Sequence, residues 1–191
     1  MKKLILIAVI AILPFMSFGQ SMFDRFEDND EVTSVVLTGK MFRMLATMGI
    51  DLEDEEAQGY VNMAKNITGL KVFTTGNEKI AADMNKSVDS YLKSSKLEEL
   101  MRVKDGNQTV NFYVKEGRDE NHVTELLMFI DGLKEFTQGE DITINGKKRE
   151  IETVLLTLTG DIDLRQISKL TNQMDLPGGD QLNKAGKSKN K

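Results

Sequence analysis

One histidine and no cysteine leave this 191-residue chain few side chains for covalent or metal chemistry. Without a thiol there is no disulfide, no thiolate nucleophile and no thiolate ligand. A single imidazole, His122, excludes a multi-histidine zinc site within one chain. It lies in the charged run Arg118-Asp119-Glu120-Asn121-His122. General-base work there needs an aligned nucleophile and an orienting acid, and no nucleophile turn adjoins it. His122 therefore reads as a solvated residue at the entrance of a strand. Asp161 and Asp163 could offer oxygens to calcium, but Arg165 and Ile167 occupy the next steps, where further oxygen donors are required. Asp24, Asp28 and Asp30 read as a solvated acidic face. Met41-x-x-Met44 with Met48 is the candidate thioether cluster for copper. The eleven methionines otherwise fall on apolar faces, where flexible thioethers fill cores. No phosphate-cradling loop of GxxxxGK[ST] or GxGxxG type occurs. The expectation is a chain with no catalytic residue, no cofactor-binding residue, no metal ligand and no cofactor.

The elements that would position these groups alternate between helix and strand. Val32 to Leu37 is β-branched and apolar, which predicts a strand. Met41, Phe42, Leu45 and Met48 then recur at helical spacing up to Gly49. A second helix starts from Asp51 as cap, buries Ala57, Tyr60, Val61, Ala64 and Ile67, and ends at Gly69. Leu70 to Thr74 is a short strand. Thr75-x-x-Glu78 has the spacing of a capping box, opening a helix to about Leu92 with Ile80, Met84, Val88 and Leu92 inward. Leu100–Val103 and Val110–Val114 flank Asp105-Gly106-Asn107, a hairpin turn, with Val110, Phe112 and Val114 on one side.

Val123 to Ile130 fits either period and is assigned as strand. The polar stretch 131–149 holds a small turn near Asn145-Gly146. Thr153 to Thr159 alternates, with Val154, Leu156 and Leu158 inward and the threonines outward. Asp163-x-x-Gln166 caps a last helix with Leu164, Ile167, Leu170 and Met174 as its stripe, stopped by Pro177. These elements predict an α+β fold: an antiparallel or mixed sheet with helices packed on one face, ferredoxin-like in part.

The ends of the chain speak to compartment. Lys2 and Lys3, the apolar run Leu4–Leu13 and the small residues of Ser17-Phe18-Gly19 form a signal peptide over 1–19. Its apolar stretch is shorter than the roughly 20 residues that cross a bilayer. Residues 20–31 form an acidic lead-in that Phe23 and Phe26 pin to a single domain over 32–176. Residues 177–191 form a disordered basic tail. The whole chain carries a net charge of −5, and the body is more acidic than its tail. Such a body repels nucleic acid and anionic lipid surfaces.

The signal ending Ser17-Phe18-Gly19-Gln20, the segment Val123-Thr124-Glu125-Leu126-Leu127-Met128 and the run Leu158-Thr159-Gly160-Asp161-Ile162-Asp163-Leu164 with Ile167-Ser168-Lys169-Leu170 together resemble a family of uncharacterised exported Bacteroidota proteins, domain of unknown function 4252. The family has no established catalytic residues to carry over. Some members look like lipoproteins; this chain has no cysteine to be lipidated. The expected role is an exported non-catalytic binding or structural module of the bacterial envelope, in the periplasm or secreted. Its expected partner is an envelope or periplasmic protein, with no nucleic acid and no stable membrane insertion after signal cleavage. A carrier for a small apolar ligand or lipid is the alternative, and an enzyme of unknown class the third.

Overall fold

A computed structural model describes residues 21–48, 55–137, 143–144, 147–148 and 150–167. The signal peptide, the Gly49 stop, the Asp51 cap, the stripe residues Leu170 and Met174, the Pro177 stop and the basic tail lie outside the described residues.

The first described element is α1 (Ser21–Asp24), followed by β1 (Thr33–Thr38), α2 (Gly39–Met48), α3 (Glu55–Asn66) and β2 (Ile67–Thr75). Next come α4 (Glu78–Ser94), β3 (Glu98–Asp105), β4 (Gln108–Glu116) and β5 (His122–Asp131). The short α5 (Lys134–Thr137), β6 (Thr143–Ile144) and β7 (Lys147–Lys148) lead to β8 (Thr153–Asp163), and a helical turn follows at 164–167. Six strands form one open sheet in the order β1-β2-β8-β5-β4-β3, every neighbouring pair antiparallel. β6 and β7 pair separately around residues 145–146. The fold is α+β.

The all-antiparallel ladders agree with the α+β expectation, because interlocked β-α-β units keep their parallel strands apart by setting other strands between them. Here β2 and β3 run in the same direction, and β8, β5 and β4 stand between them. The α4 helix, 17 residues long, reaches about 25 Å at 1.5 Å per residue. That length crosses the intervening strands. The β3–β4–β5 meander then returns toward the middle, and β8 fills the slot between β2 and β5.

Side chains alternate across the sheet, so each strand feeds two cores. On the first face Phe73, Leu155 and Phe129 stand side by side in register. Met84, Val88 and Tyr91 of α4 cover them, together with Phe23, Phe26 and Val32. Phe23 meets the Tyr91 ring edge-on at 5.3 Å. On the second face Leu70, Leu158, Leu126 and Val114 form another row. Ile67, Ile162, Phe42, Leu164 and Ile167 pack against it. Helical residues thus meet both faces.

This two-sided burial corrects the reading of β8. Thr153 and Thr157 are buried, not outward, and Leu155 is fully buried, while Val154 and Leu156 are half-buried. A strand in the middle of a sheet with cores on both sides has no solvent face for its threonines. The Thr153 hydroxyl instead donates to Asp131 Oδ1 at 2.6 Å. The β5 strand is confirmed, and its double period has the same cause: Leu126 and Leu127 are both buried, in opposite cores.

Local boundaries moved for identifiable reasons. Asn77, not Thr75, caps α4, accepting from the backbone N–H groups of Lys79 and Ile80. Thr75 is still in β2, where its hydroxyl donates to the Glu31 carbonyl and accepts from Asn77 N–H. Ile67 and Gly69 belong to β2 and not to the preceding helix. The Gly106 turn forms as expected, with φ at +55°, a region that favours glycine. The lead-in is held rather than loose at one point: Lys71 Nζ donates to Asp24 at 2.5 Å and Glu27 at 2.6 Å. Burial opposes the Lys71 charge, but those two carboxylates outweigh it and raise its pKa.

Candidate functional site

The cover of the first face stops short of one end of the sheet. One step along the ladder from Leu127, β5 presents Glu125, directly opposite Lys115 of β4 and Thr159 of β8. Thr159 in turn lies opposite Gly69 of β2. This row floors an open hollow of about 580 Å³, rimmed by Thr68, Arg118, Thr124, Gly160 and Asp161. Gly160 has a φ of +137°, and a Cβ there would collide with the Asn66 carbonyl oxygen. A side chain at 160 would therefore force α3 away from the end of β8.

Glu125 is the unusual group in the hollow. Its carboxylate oxygen accepts a 2.6 Å hydrogen bond from the buried Tyr91 hydroxyl. Burial pushes the Glu125 carboxyl above its ordinary range, against the opposing pull of Tyr91 and Lys115. Burial also raises the Tyr91 phenol, and the adjacent Glu125 raises it further. Burial thus works against the charged form of both groups. Thr68 donates to Thr159 at 3.0 Å, and Thr159 donates to the Gly69 carbonyl at 3.3 Å.

A smaller recess of about 220 Å³ continues past Arg118 and Asp161 to Gly59, Asn62, Asn66, His122, Asp163 and Gln166. His122 is not solvated: it is 8% exposed, because the β4–β5 turn folds back over it. Its carbonyl accepts from Gly117 N–H, and its own N–H donates to the Asp119 carbonyl. Arg118 Nη2 is 2.6 Å from His122 Nε2. A guanidinium can only donate, so Nε2 accepts and the proton sits on Nδ1, which donates to Asp119 Oδ1 at 2.7 Å. Both ring nitrogens are thereby engaged. The Asp119 carboxyl is held below its ordinary range by that His122 hydrogen bond and by Asn121 N–H.

Asp163 takes the capping role read from the sequence, accepting from Arg165 N–H at 2.9 Å. Burial opposes its charge, but the Arg165 side chain and backbone outweigh that and hold its pKa low. Asp161 lies 3.4 Å from Arg118. The reciprocal half of the capping box is missing, since Gln166 Oε1 is buried without a hydrogen-bond partner. Among the described residues no group of three or more histidines or acids is placed to hold a metal.

The structure also exposes an apolar surface at the β1 end of the molecule. Met41, Met44 and Leu45 of α2 face outward, while Ala46 is buried and Phe42 packs on the second core. These methionines are not core fillers, although Met84 is. Val35 and Val36 of β1 are also exposed, at 46% and 42%, on opposite faces of the sheet edge. The sequence reading missed Glu125, Tyr91, Lys115 and Thr159 as a group. The available signal was one carboxylate inside the apolar run Val123–Ile130.

An open antiparallel sheet crossed by one long helix, with a polar hollow where that helix stops, defines an α+β protein. The chain belongs to the family Domain of unknown function (DUF4252), whose model matches residues 26–170. No curated protein and no solved structure matches it. No helix among the described residues is long and apolar enough to cross a membrane.

Proposed function

We propose that this protein is an exported, non-catalytic binding module of the bacterial envelope that engages an envelope or periplasmic protein through the outer face of α2. The observation that carries the reading is the exposure of Met41, Met44 and Leu45 at helical spacing. Large apolar side chains grouped on a surface are a mark of a protein-interaction site, and methionine suits such sites because it adapts to its partner. Export rests on the positive start, the Leu4–Leu13 run and the small residues before Gln20.

The chemistry of the hollow supports this reading over the apolar carrier. Its lining of hydroxyls, one ammonium, one guanidinium and carboxyls matches a small polar ligand, whereas a lipid requires an apolar cavity. Enzymatic work by His122 is disfavoured because both nitrogens are occupied by Arg118 and Asp119.

The test is capture from envelope extract by the exported chain, followed by titration with the identified partner. Saturable binding that is lost in Met44→Glu/Leu45→Glu, with the melting temperature unchanged, is the expected result. Equal binding by that variant removes α2 as the docking face.

A further inference from the structure

The two ends of β1 carry opposite charges, and this says what the strand is built to meet. Strand β1, Thr33-Ser34-Val35-Val36-Leu37-Thr38, has no charged residue and no proline, and among the described residues it is an unpaired sheet edge. An uncharged edge is an open template for another strand. Just before it come Asp28 and Asp30, both exposed. Just after it come Lys40 and Arg43, also exposed. None of these four carries an ion pair with another described side chain.

We infer that β1 pairs with β1 of a second copy, antiparallel across a two-fold axis, to form a continuous twelve-stranded sheet. Antiparallel pairing sets the acidic end of one strand against the basic end of the other, twice per dimer. A parallel pairing would set acid against acid. The two-fold also fixes the register. Residues opposite each other must share a face, so the axis falls at Val35 or Val36, and the valine on the axis packs against its own counterpart. A self-complementary patch of this kind is what an isologous interface requires. Lys40 and Arg43 belong to α2 itself, so the substitution that separates the two readings is Val35→Lys, which lies outside that helix.

Sedimentation of the exported chain over about 1 µM to 1 mM tests this. The expected result is a monomer–dimer equilibrium that Val35→Lys abolishes without lowering the melting temperature. Lys40→Glu/Arg43→Glu makes both ends acidic, and Asp28→Lys/Asp30→Lys makes both ends basic. Each variant alone should self-associate about tenfold more weakly or worse. An equimolar mixture of the two should dimerise again, as a heterodimer, and less well at high salt. A wild-type chain that stays monomeric throughout overturns the inference, as does a mixture no tighter than either variant. Partner capture in the α2 assay is read separately, and Val35→Lys should leave it intact. The failure of one idea is thus visible without the other.

Discussion

The two edges of the sheet are built on opposite plans. β1 presents six residues without a charge, two of them exposed valines. β3, at the other end, reads Glu98-Glu99-Leu100-Met101-Arg102-Val103-Lys104-Asp105. Its charges point outward, and Arg102 forms an ion pair with Glu99. Charged side chains along an edge repel an incoming strand by making its approach cost desolvation. One edge is closed chemically and the other is left open. The difference teaches that edge protection here is selective, and that the unprotected strand is the one flanked by complementary charges.

The largest expected effect comes from making the edges alike. Replacing Glu98, Glu99, Arg102 and Lys104 with threonine gives the molecule two open edges. The dimer should then grow into open-ended assemblies, because two non-closing interfaces propagate; light scattering would detect them. If the variant stays at the wild-type size, β3 is closed by its shape and not by its charges.

Next in size is the contrast between centre and edge. Leu155→Ala, in the row Phe73–Leu155–Phe129, should lower unfolding free energy by about 2–5 kcal/mol. Val35→Ala at the exposed edge should change the monomer by less than about 0.5 kcal/mol. Denaturant titrations of the two variants, in monomeric conditions, give the comparison directly. A similar loss at both sites would mean that β1 already has a cover in the monomer.

A smaller effect is expected in the helix that spans the distance between the two edge regions. Asn77→Ala removes the side-chain oxygen that caps α4 and should cost about 1 kcal/mol, measured the same way. No change would show that packing of Met84, Val88 and Tyr91 alone holds the helix start.

The smallest effect concerns Glu125. Its folded pKa lies above the ordinary value of 4.5. The folded state therefore prefers the neutral carboxyl, so this group's contribution is most favourable below the unfolded pKa. The contribution is lost as pH rises through the folded pKa. Glu125→Gln keeps an acceptor for the Tyr91 hydroxyl without the buried charge. It should raise the melting temperature at pH 7 and lose that advantage near pH 4. An unchanged difference across this range would mean that Glu125 titrates as if solvated.

The hollow and the sealed core show how much of the site was legible. Phe112, Val114 and Met84 declared their inward faces through spacing alone. Glu125 and Lys115 did not declare themselves as a pair, because they are ten residues apart and meet only through the β4–β5 register. His122 was read as solvated because its neighbours are charged. The turn bends those same neighbours, Arg118 and Asp119, onto its ring and excludes water from it. Thr153 and Thr157 were read outward because alternation reports which residues share a face, and says nothing about whether that face is covered.

Local chemistry alone determined the α+β class, the Gly106 hairpin and the absence of thiol chemistry, since turn residues, side-chain period and composition act over a few positions. Tertiary structure decided that β8 runs between β2 and β5, that both faces of the sheet become cores, and that a polar row is left open below α4. Those outcomes depend on which distant strands pair, and pairing is chosen by the burial of the whole sheet rather than by any single segment.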